Sequence, residues 1–427
     1  MEKNEFALLT TRRFLPLFIT QFLGALNDNL FKNALVILAL YRLSGEVGMD
    51  GSILVTLAAG IFILPFFLFS ATAGQLADRF EKAFLIRVIK AAEVAIMGIG
   101  AWGLFLGDIV FLLVVLFLMG AQSAFFGPLK YGILPTHLEE DELIGGNALI
   151  EAGTFLAILL GTIAGGLLIL VEQGVPIVAV GVVLVAVLGL LASLDIPKAL
   201  PAAPELRINP NILVETWIMI RRLGDSPAIL KSVLGISWFW LIGAMFLAEF
   251  PPYAKDVLGG DEQVVTLFLT IFSVGIGMGS LLCNGLLKGE ITAKYAPFGA
   301  LGLSVFTIDL YVASPTSPPQ GAELLGALGF IAQAGSWRIL FDLLGISVMG
   351  GLFIVPLYAI MQRRSPMESR SRIIAANNIM NALFMVVGAL GAAGLLTAGF
   401  TVPEIFLAGG VGNLGVGIAL RRLGGSL

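Results

Sequence analysis

The sequence predicts an all-α polytopic membrane protein with about twelve transmembrane helices. Three observations carry this: long uninterrupted apolar runs, a shortage of charge, and basic residues gathered on alternate loops. The chain is 58% hydrophobic and 13% charged over 427 residues. A soluble domain carries about 25% charged residues, so too little polar surface remains to cover a water-soluble globule. A bilayer-spanning helix needs roughly 20 mostly apolar residues. Only helices and closed barrels satisfy their backbone inside lipid. The runs lack the period-2 alternation of a barrel strand, so they read as helices.

Candidate spans run roughly over 14–41, 51–75, 84–106, 109–129, 145–170, 175–194, 228–250, 264–287, 295–313, 336–360, 372–395 and 401–420. The longest polar stretch lies near the middle and contains Pro197, Pro201, Pro204 and Pro210. It divides the chain into an N-terminal six-helix bundle (1–194), a cytoplasmic linker (195–227) and a C-terminal six-helix bundle (228–427). A short amphipathic helix is expected around Glu215–Leu223.

Charge position orients the chain. With both termini cytoplasmic, the Lys and Arg residues fall on internal loops and helix ends, Lys90 and Lys130 among them. The exceptions are Arg42, Lys255 and Arg338 at the outer side and Lys32 inside a span. Arg12 and Arg13 precede a long first span, which is not the pattern of a cleaved signal peptide. One cysteine, Cys283, and one histidine, His137, exclude an intrachain disulfide and argue against a zinc site or a Cys–His catalytic pair. His137 sits beside Glu139, Glu140, Asp141 and Glu142 and reads as a solvated loop histidine. The sequence carries no nucleotide-binding loop, metal set or nucleic-acid signature. No cofactor and no enzyme chemistry is expected.

The two halves echo each other. Pro128-Leu129 matches Pro356-Leu357, and the stretch Gly146 to Glu151 matches Ala376 to Asn381, which places Asn147 opposite Asn377 and Glu151 opposite Asn381. Gly161 then matches Gly391. Both copies face one side, which defines a parallel repeat. Gly161 with Gly165 and Gly275 with Gly279 have close-packing spacing and are expected at internal helix crossings.

The first span holds Gln21, Asn27, Asp28, Asn29, Lys32 and Asn33. An ionisable group at mid-bilayer costs at least ~2.5 kcal/mol. At helical spacing Gln21, Asp28 and Lys32 form one stripe, and Asp28 and Lys32 at i,i+4 can offset each other's charge. Such a stripe is expected to face a water-filled cavity. Glu93 and Glu249 lie near span ends, where they reach either the interface or the bundle interior. Arg338 and Asp342, again i,i+4, suggest a local ion pair near an outer end.

Gly74-Gln75-Leu76-Ala77-Asp78-Arg79, between spans two and three, resembles the G-x-x-x-D-R signature of the major facilitator superfamily. In that reading Gly74 permits a close backbone approach. Asp78 caps the next helix, and Arg79 with Lys82 pairs with acidic groups across the domain interface as a conformational switch. The run Gln21 to Asn29 resembles the first-span motif of bacterial lysophospholipid transporters. Phe126-Gly127-Pro128-Leu129-Lys130-Tyr131-Gly132, followed by Gly146 to Thr154, resembles that family's span 4–5 region. The similarity extends to the transporter part of fusions that continue into an acyltransferase and an acyl-ACP synthetase. This sequence stops after span twelve, as a stand-alone member or a trimmed piece would.

The resemblance implies a major facilitator fold and alternating access. It implies movement of lysophosphatidylethanolamine-type lipids from the outer to the inner leaflet of the bacterial inner membrane for re-acylation. The partners implied are the lysophospholipid, membrane lipids and a cytoplasmic acyltransferase or acyl-ACP synthetase. Asp28 and Asn29 carry over as headgroup or gating residues, and Lys130, Tyr131, Asn147 and Glu151 as span 4–5 motif residues. Asp28 and Lys32 suit a zwitterionic head, while Phe62, Phe66, Phe67, Phe69, Phe125 and Phe126 suit an acyl tail. The alternative is a proton-coupled exporter of small amphipathic compounds on the same fold.

Overall fold

The computed structural model describes residues 5–39, 51–315 and 323–421. Arg42, placed at the outer side by the charge reading, lies outside the described residues. Twelve long helices account for most of the chain: α1 (Leu15–Leu38), α2 (Gly51–Arg79), α3 (Lys82–Leu106), α4 (Ile109–His137), α5 (Leu143–Leu168), α6 (Gly174–Leu194), α7 (Pro227–Pro252), α8 (Glu262–Leu287), α9 (Ala296–Ala313), α10 (Ser336–Arg364), α11 (Arg370–Thr397) and α12 (Val402–Arg421). A linker helix, Ile212–Leu223, joins α6 to α7. Ten described helices are long and apolar enough to cross a membrane. The two other long helices, α1 and α3, contain Asp28 and Lys32, and Lys90 and Glu93.

Local chemistry fixes the helix starts. Glu81 accepts hydrogen bonds from the Ala83 and Phe84 amides and caps α3, while Asp108 accepts from Phe111 N at 3.1 Å and caps α4. Each carboxylate occupies amides that would otherwise lack partners. Gly107, at φ 68°, closes α3 with a left-handed residue that costs a glycine little.

Packing repeats along the chain. α1 lies on α5, α2 on α4, and α3 on α6. In the second half α7 lies on α11, α8 on α10, and α9 on α12. The halves meet through α5 against α8 and α2 against α11, which are the same contact under the repeat. A side chain at Gly161 or Gly165 would collide with the Leu26 or Leu30 carbonyl of α1, and one at Gly279 with the Val348 carbonyl of α10. These glycines set internal crossings. Gly391, the repeat partner of Gly161, faces open space, so this packing role is not repeated.

Burial shows where the halves touch. On α11, Ile373 to Ile379 are buried, whereas Leu383, Val387, Leu390 and Leu396 are exposed. On α2, Ala71, Ala73, Ala77 and Asp78 are buried, whereas Val55, Leu57 and Leu64 are exposed. Both helices are therefore clasped at the end of the bundle that carries Glu5 and the linker helix, here termed the terminal face. Toward the opposite end the same two helices present apolar side chains outward.

Gly279→Val should lower thermal stability in detergent by about 1–3 kcal/mol, the range for overpacking a close contact. Gly166→Ala, which meets nothing within 4 Å, should leave the melting curve unchanged.

Candidate functional site

The α1 stripe faces partners on α4 and α5. Thr154 Oγ1 donates to Gln21 Oε1 at 3.0 Å, and Ser123 Oγ donates to Asp28 Oδ2 at 2.7 Å. Lys32 Nζ donates to Asn29 Oδ1 at 3.0 Å and lies 5.6 Å from the centre of the Phe62 ring. Asp28 and Lys32 form no direct ion pair, contrary to the i,i+4 expectation. Each has a nearer partner, Ser123 across the helix interface and Asn29 one turn back.

A second charged cluster lies behind this stripe. Glu93, 1% exposed, forms an ion pair with Lys90, itself fully buried. Glu93 also accepts from Gln122 Nε2 at 2.8 Å and Asn27 Nδ2 at 3.3 Å. Lys90 threads between Gly24 of α1 and Gly189 of α6, where a Cβ would stand 3.1 and 3.0 Å from its side chain. The charge reading placed Lys90 with the cytoplasmic cations, and this is corrected: its ammonium is inside the N-terminal half. Gln122 and Ser123 belong to the network and were missed. Two polar side chains in an apolar helix were the available signal.

Lys130 is likewise not a loop residue. It is half-buried on α4, with its ammonium 4.6 Å from the Tyr131 ring centre, and it interacts electrostatically with both Glu151 and Asp28. Glu151 is fully buried and accepts from the Tyr131 hydroxyl. Tyr131 stacks on Tyr358 of α10 with ring centres 4.5 Å apart and planes at 8°. Asn147 Nδ2 donates to Gln362 Oε1 at 2.7 Å, and Gln362 Nε2 returns a bond to Asn147 Oδ1 at 3.1 Å. Asn377 is buried beside Tyr358, and Asn381 accepts from Ser237 Oγ at 2.8 Å. Asp28, Lys130 and Glu151 thus form one charged set, whereas Asn147, Tyr131 and Asn377 lie at the seam between the halves.

The Gly74–Arg79 loop closes that seam. Asp78, fully buried, accepts from Ser371 N at 2.9 Å, Arg372 N at 3.3 Å and Arg372 Nε at 3.0 Å. It therefore caps α11 of the other half. The expected cap on α3 is supplied by Glu81 instead. A Cβ at Gly74 would stand 2.7 Å from Ala375 Cβ, so only glycine permits this approach. Arg79 does not reach across the interface: its guanidinium lies over the Phe80 ring at 5.4 Å. The cation of the latch is Arg372, from the opposite half. Arg363 with Glu140 at 2.7 Å, and Asn284 Nδ2 with Glu5 Oε2 at 2.8 Å, add further ties at this face.

Two other expectations are corrected and one open reading is resolved. Arg338 pairs with Asp309 of α9, through Nε at 3.0 Å and Nη2 at 2.5 Å, and not with Asp342 on its own helix. His137 ends α4 half-buried, and its carbonyl accepts from Arg13 Nη1 at 3.2 Å. Glu93 and Glu249, left open between the interface and the bundle interior, are both buried. Among the described residues no cluster of His, Cys, Asp and Glu suits a metal ion.

Twelve helices in two related halves, joined around an interior charged set and latched at one face, define a membrane transporter of the alternating-access kind. A Major Facilitator Superfamily profile matches residues 17–389. The lysophospholipid transporter LplT of Salmonella typhimurium is 30% identical over 362 residues, covering 83% of this chain and 80% of that protein. The LplT of Salmonella typhi is 29% identical over the same shares. Among solved structures, the human organic anion transporter MFSD10 superposes with a TM-score of 0.74 at 14% identity over 96% of this chain and 98% of its own. FucP in the outward conformation gives a TM-score of 0.71 at 12% identity, covering 97% and 99%. The chain belongs to the major facilitator superfamily and, within it, to the family of the lysophospholipid transporters.

Two outcomes test the geometry. Glu93→Ala should destabilise the protein by about 3–5 kcal/mol, because it leaves the Lys90 charge buried and unpaired. The Lys90→Met/Glu93→Met double variant should recover most of that loss in thermal unfolding. Asp78→Asn should loosen the terminal face. In a Cys283→Ala background, Ile374→Cys should then react several-fold faster with an impermeant maleimide than it does with Asp78 intact.

Proposed function

We propose that this protein moves lysophospholipids, of the lysophosphatidylethanolamine type, from the outer to the inner leaflet of the bacterial inner membrane by alternating access. The observation that carries the reading is the interior set of Asp28, Lys32, Lys130 and Glu151, two acids and two bases from α1, α4 and α5. A zwitterionic head needs both signs, and a hydrated path between leaflets needs these groups inside rather than at the ends. An apolar wall adjoins the set. Phe155, one turn beyond Glu151, stacks on Trp240 with ring centres 6.0 Å apart and meets Phe239 and Phe272 edge-on. Head and tail would thus have separate surfaces. The similarity to proteins named lysophospholipid transporters supports the same substrate class.

In this reading both termini and the latch are cytoplasmic, since the Lys- and Arg-rich loops belong there. The functional units are residues 1–194 and 228–427, joined by the linker 195–227. With the terminal face latched, substrate would enter from the outer leaflet. Opening would require Asp78 to release the start of α11. The flipped lipid would pass to a cytoplasmic acyltransferase or acyl-ACP synthetase, the consumer that re-acylation requires.

The test is leaflet exchange of labelled lysophosphatidylethanolamine in liposomes carrying the purified protein, read as protection from albumin extraction. Asp28→Asn and Lys130→Ala should each slow protein-dependent exchange about tenfold or more, since each takes one charge from the set that would meet the headgroup and a hydrogen bond to a charged group is worth about 1.5–3 kcal/mol. Normal exchange by both folded variants would remove the charged set from the path. Absence of exchange by the unmodified protein, with or without a pH gradient, would overturn the substrate assignment.

A further inference from the structure

A second charged site lies away from the interior path. On the terminal face, a cavity of about 480 Å³ opens between the linker helix and the turn from α10 to α11. Arg222, Arg364 and Arg372 line it, with Met219 and Ile373 at its apolar side and Asp225 as its own carboxylate. Arg222 and Arg364 are exposed and make no ion pair among the described residues. Arg372 spends its Nε on Asp78 and one Nη on the Glu368 carbonyl. Arg370, on the first turn of α11, also interacts electrostatically with Asp78.

The surroundings are unusual for a water-facing surface. The linker helix is pinned inward by Glu215, Met219 and Leu223. Its other face exposes Leu213 at 81% and Trp217 at 66%, followed one turn later by Arg221. Met367, on the α10–α11 turn, is 63% exposed. An apolar stripe that ends in cations is the pattern of a helix lying in the headgroup layer. Guanidinium groups hold phosphate through paired, charge-assisted bonds.

We propose that this cleft binds a phosphate group, and that an acidic phospholipid headgroup supplies it, with Arg222 and Arg364 as the principal ligands and Arg372 linking the site to the Asp78 latch. A bound phosphate would neutralise the arginines gathered where the linker helix, α10 and α11 meet, and so favour the latched arrangement. The site is separate from the charged set of α1, α4 and α5, so its test does not depend on what crosses the membrane.

The experiment is thermal unfolding of the purified full chain in detergent, titrated with dioctanoyl phosphatidylglycerol, inorganic phosphate or dioctanoylglycerol. Phosphatidylglycerol should raise Tm saturably, as a ligand of the native state does. Arg222→Gln/Arg364→Gln, a change at two exposed positions, should keep the unliganded Tm and weaken the apparent Kd about tenfold or more. A shift with phosphatidylglycerol alone supports the lipid as the source. An equal shift with inorganic phosphate supports the phosphate site but names the free ion. No saturable shift with either, an equal shift with dioctanoylglycerol, or an undiminished response of the double variant would overturn the proposal.

Discussion

A charge held among lipid-bathed helices needs a counter-charge, hydrogen bonds or water, and this requirement organises the N-terminal half. Burying an isolated ion costs several kcal/mol even after relaxation. Lys90 and Glu93 meet that demand within one turn of α3, and Gln122 and Asn27 complete the carboxylate's bonds. The arrangement needs room, and Gly24 and Gly189 provide it by leaving a channel for the lysine stem. Thus α1, α3, α4 and α6 are held together by one ion pair as well as by apolar packing. Removing either partner would leave the other charge buried and unpaired.

The same rule explains the latch. Asp78 is fully buried, yet it accepts bonds from two backbone amides and one guanidinium of the opposite half. Its charge faces the amino end of α11, where the helix dipole is favourable to an anion. Opening this face means hydrating Asp78 and the α11 amides together. That makes the contact a two-state element: bonds that are satisfied either by each other or by water, and poorly by anything between. Asn147 with Gln362 lies in the same seam and shares that property.

The helices were legible because lipid imposes a simple code of about 20 apolar residues per span, and the chain obeys it with few interruptions. The polar stripe of α1 was legible for the opposite reason, since six polar side chains break that code. What the sequence hid were partners distant along the chain. Asp78 and Arg372 are separated by most of the protein, and no local spacing announces the bond. Local spacing also misled. Asp28 with Lys32 and Arg338 with Asp342 both have helical i,i+4 spacing, but Lys32 turns to Asn29 and Arg338 to Asp309 of another helix. Lys90 was misplaced because a cation near a helix start looks cytoplasmic until its glycine-lined channel is visible.

The two halves share helix pairings but divide the chemistry unequally. The N-terminal half concentrates the interior ions. The C-terminal half concentrates rings toward the end opposite the latch: Phe246 stacks on Phe406 at 4.7 Å, and Phe250 meets Phe268 and Phe272 edge-on. Ring packing of this kind is close to rigid, because each ring is fixed by several neighbours. Ion networks exchange partners with water at little geometric change. The halves also meet through Tyr131 on Tyr358, Asn147 with Gln362 and Phe155 on Trp240, so motion of one half against the other must break these contacts together with the latch.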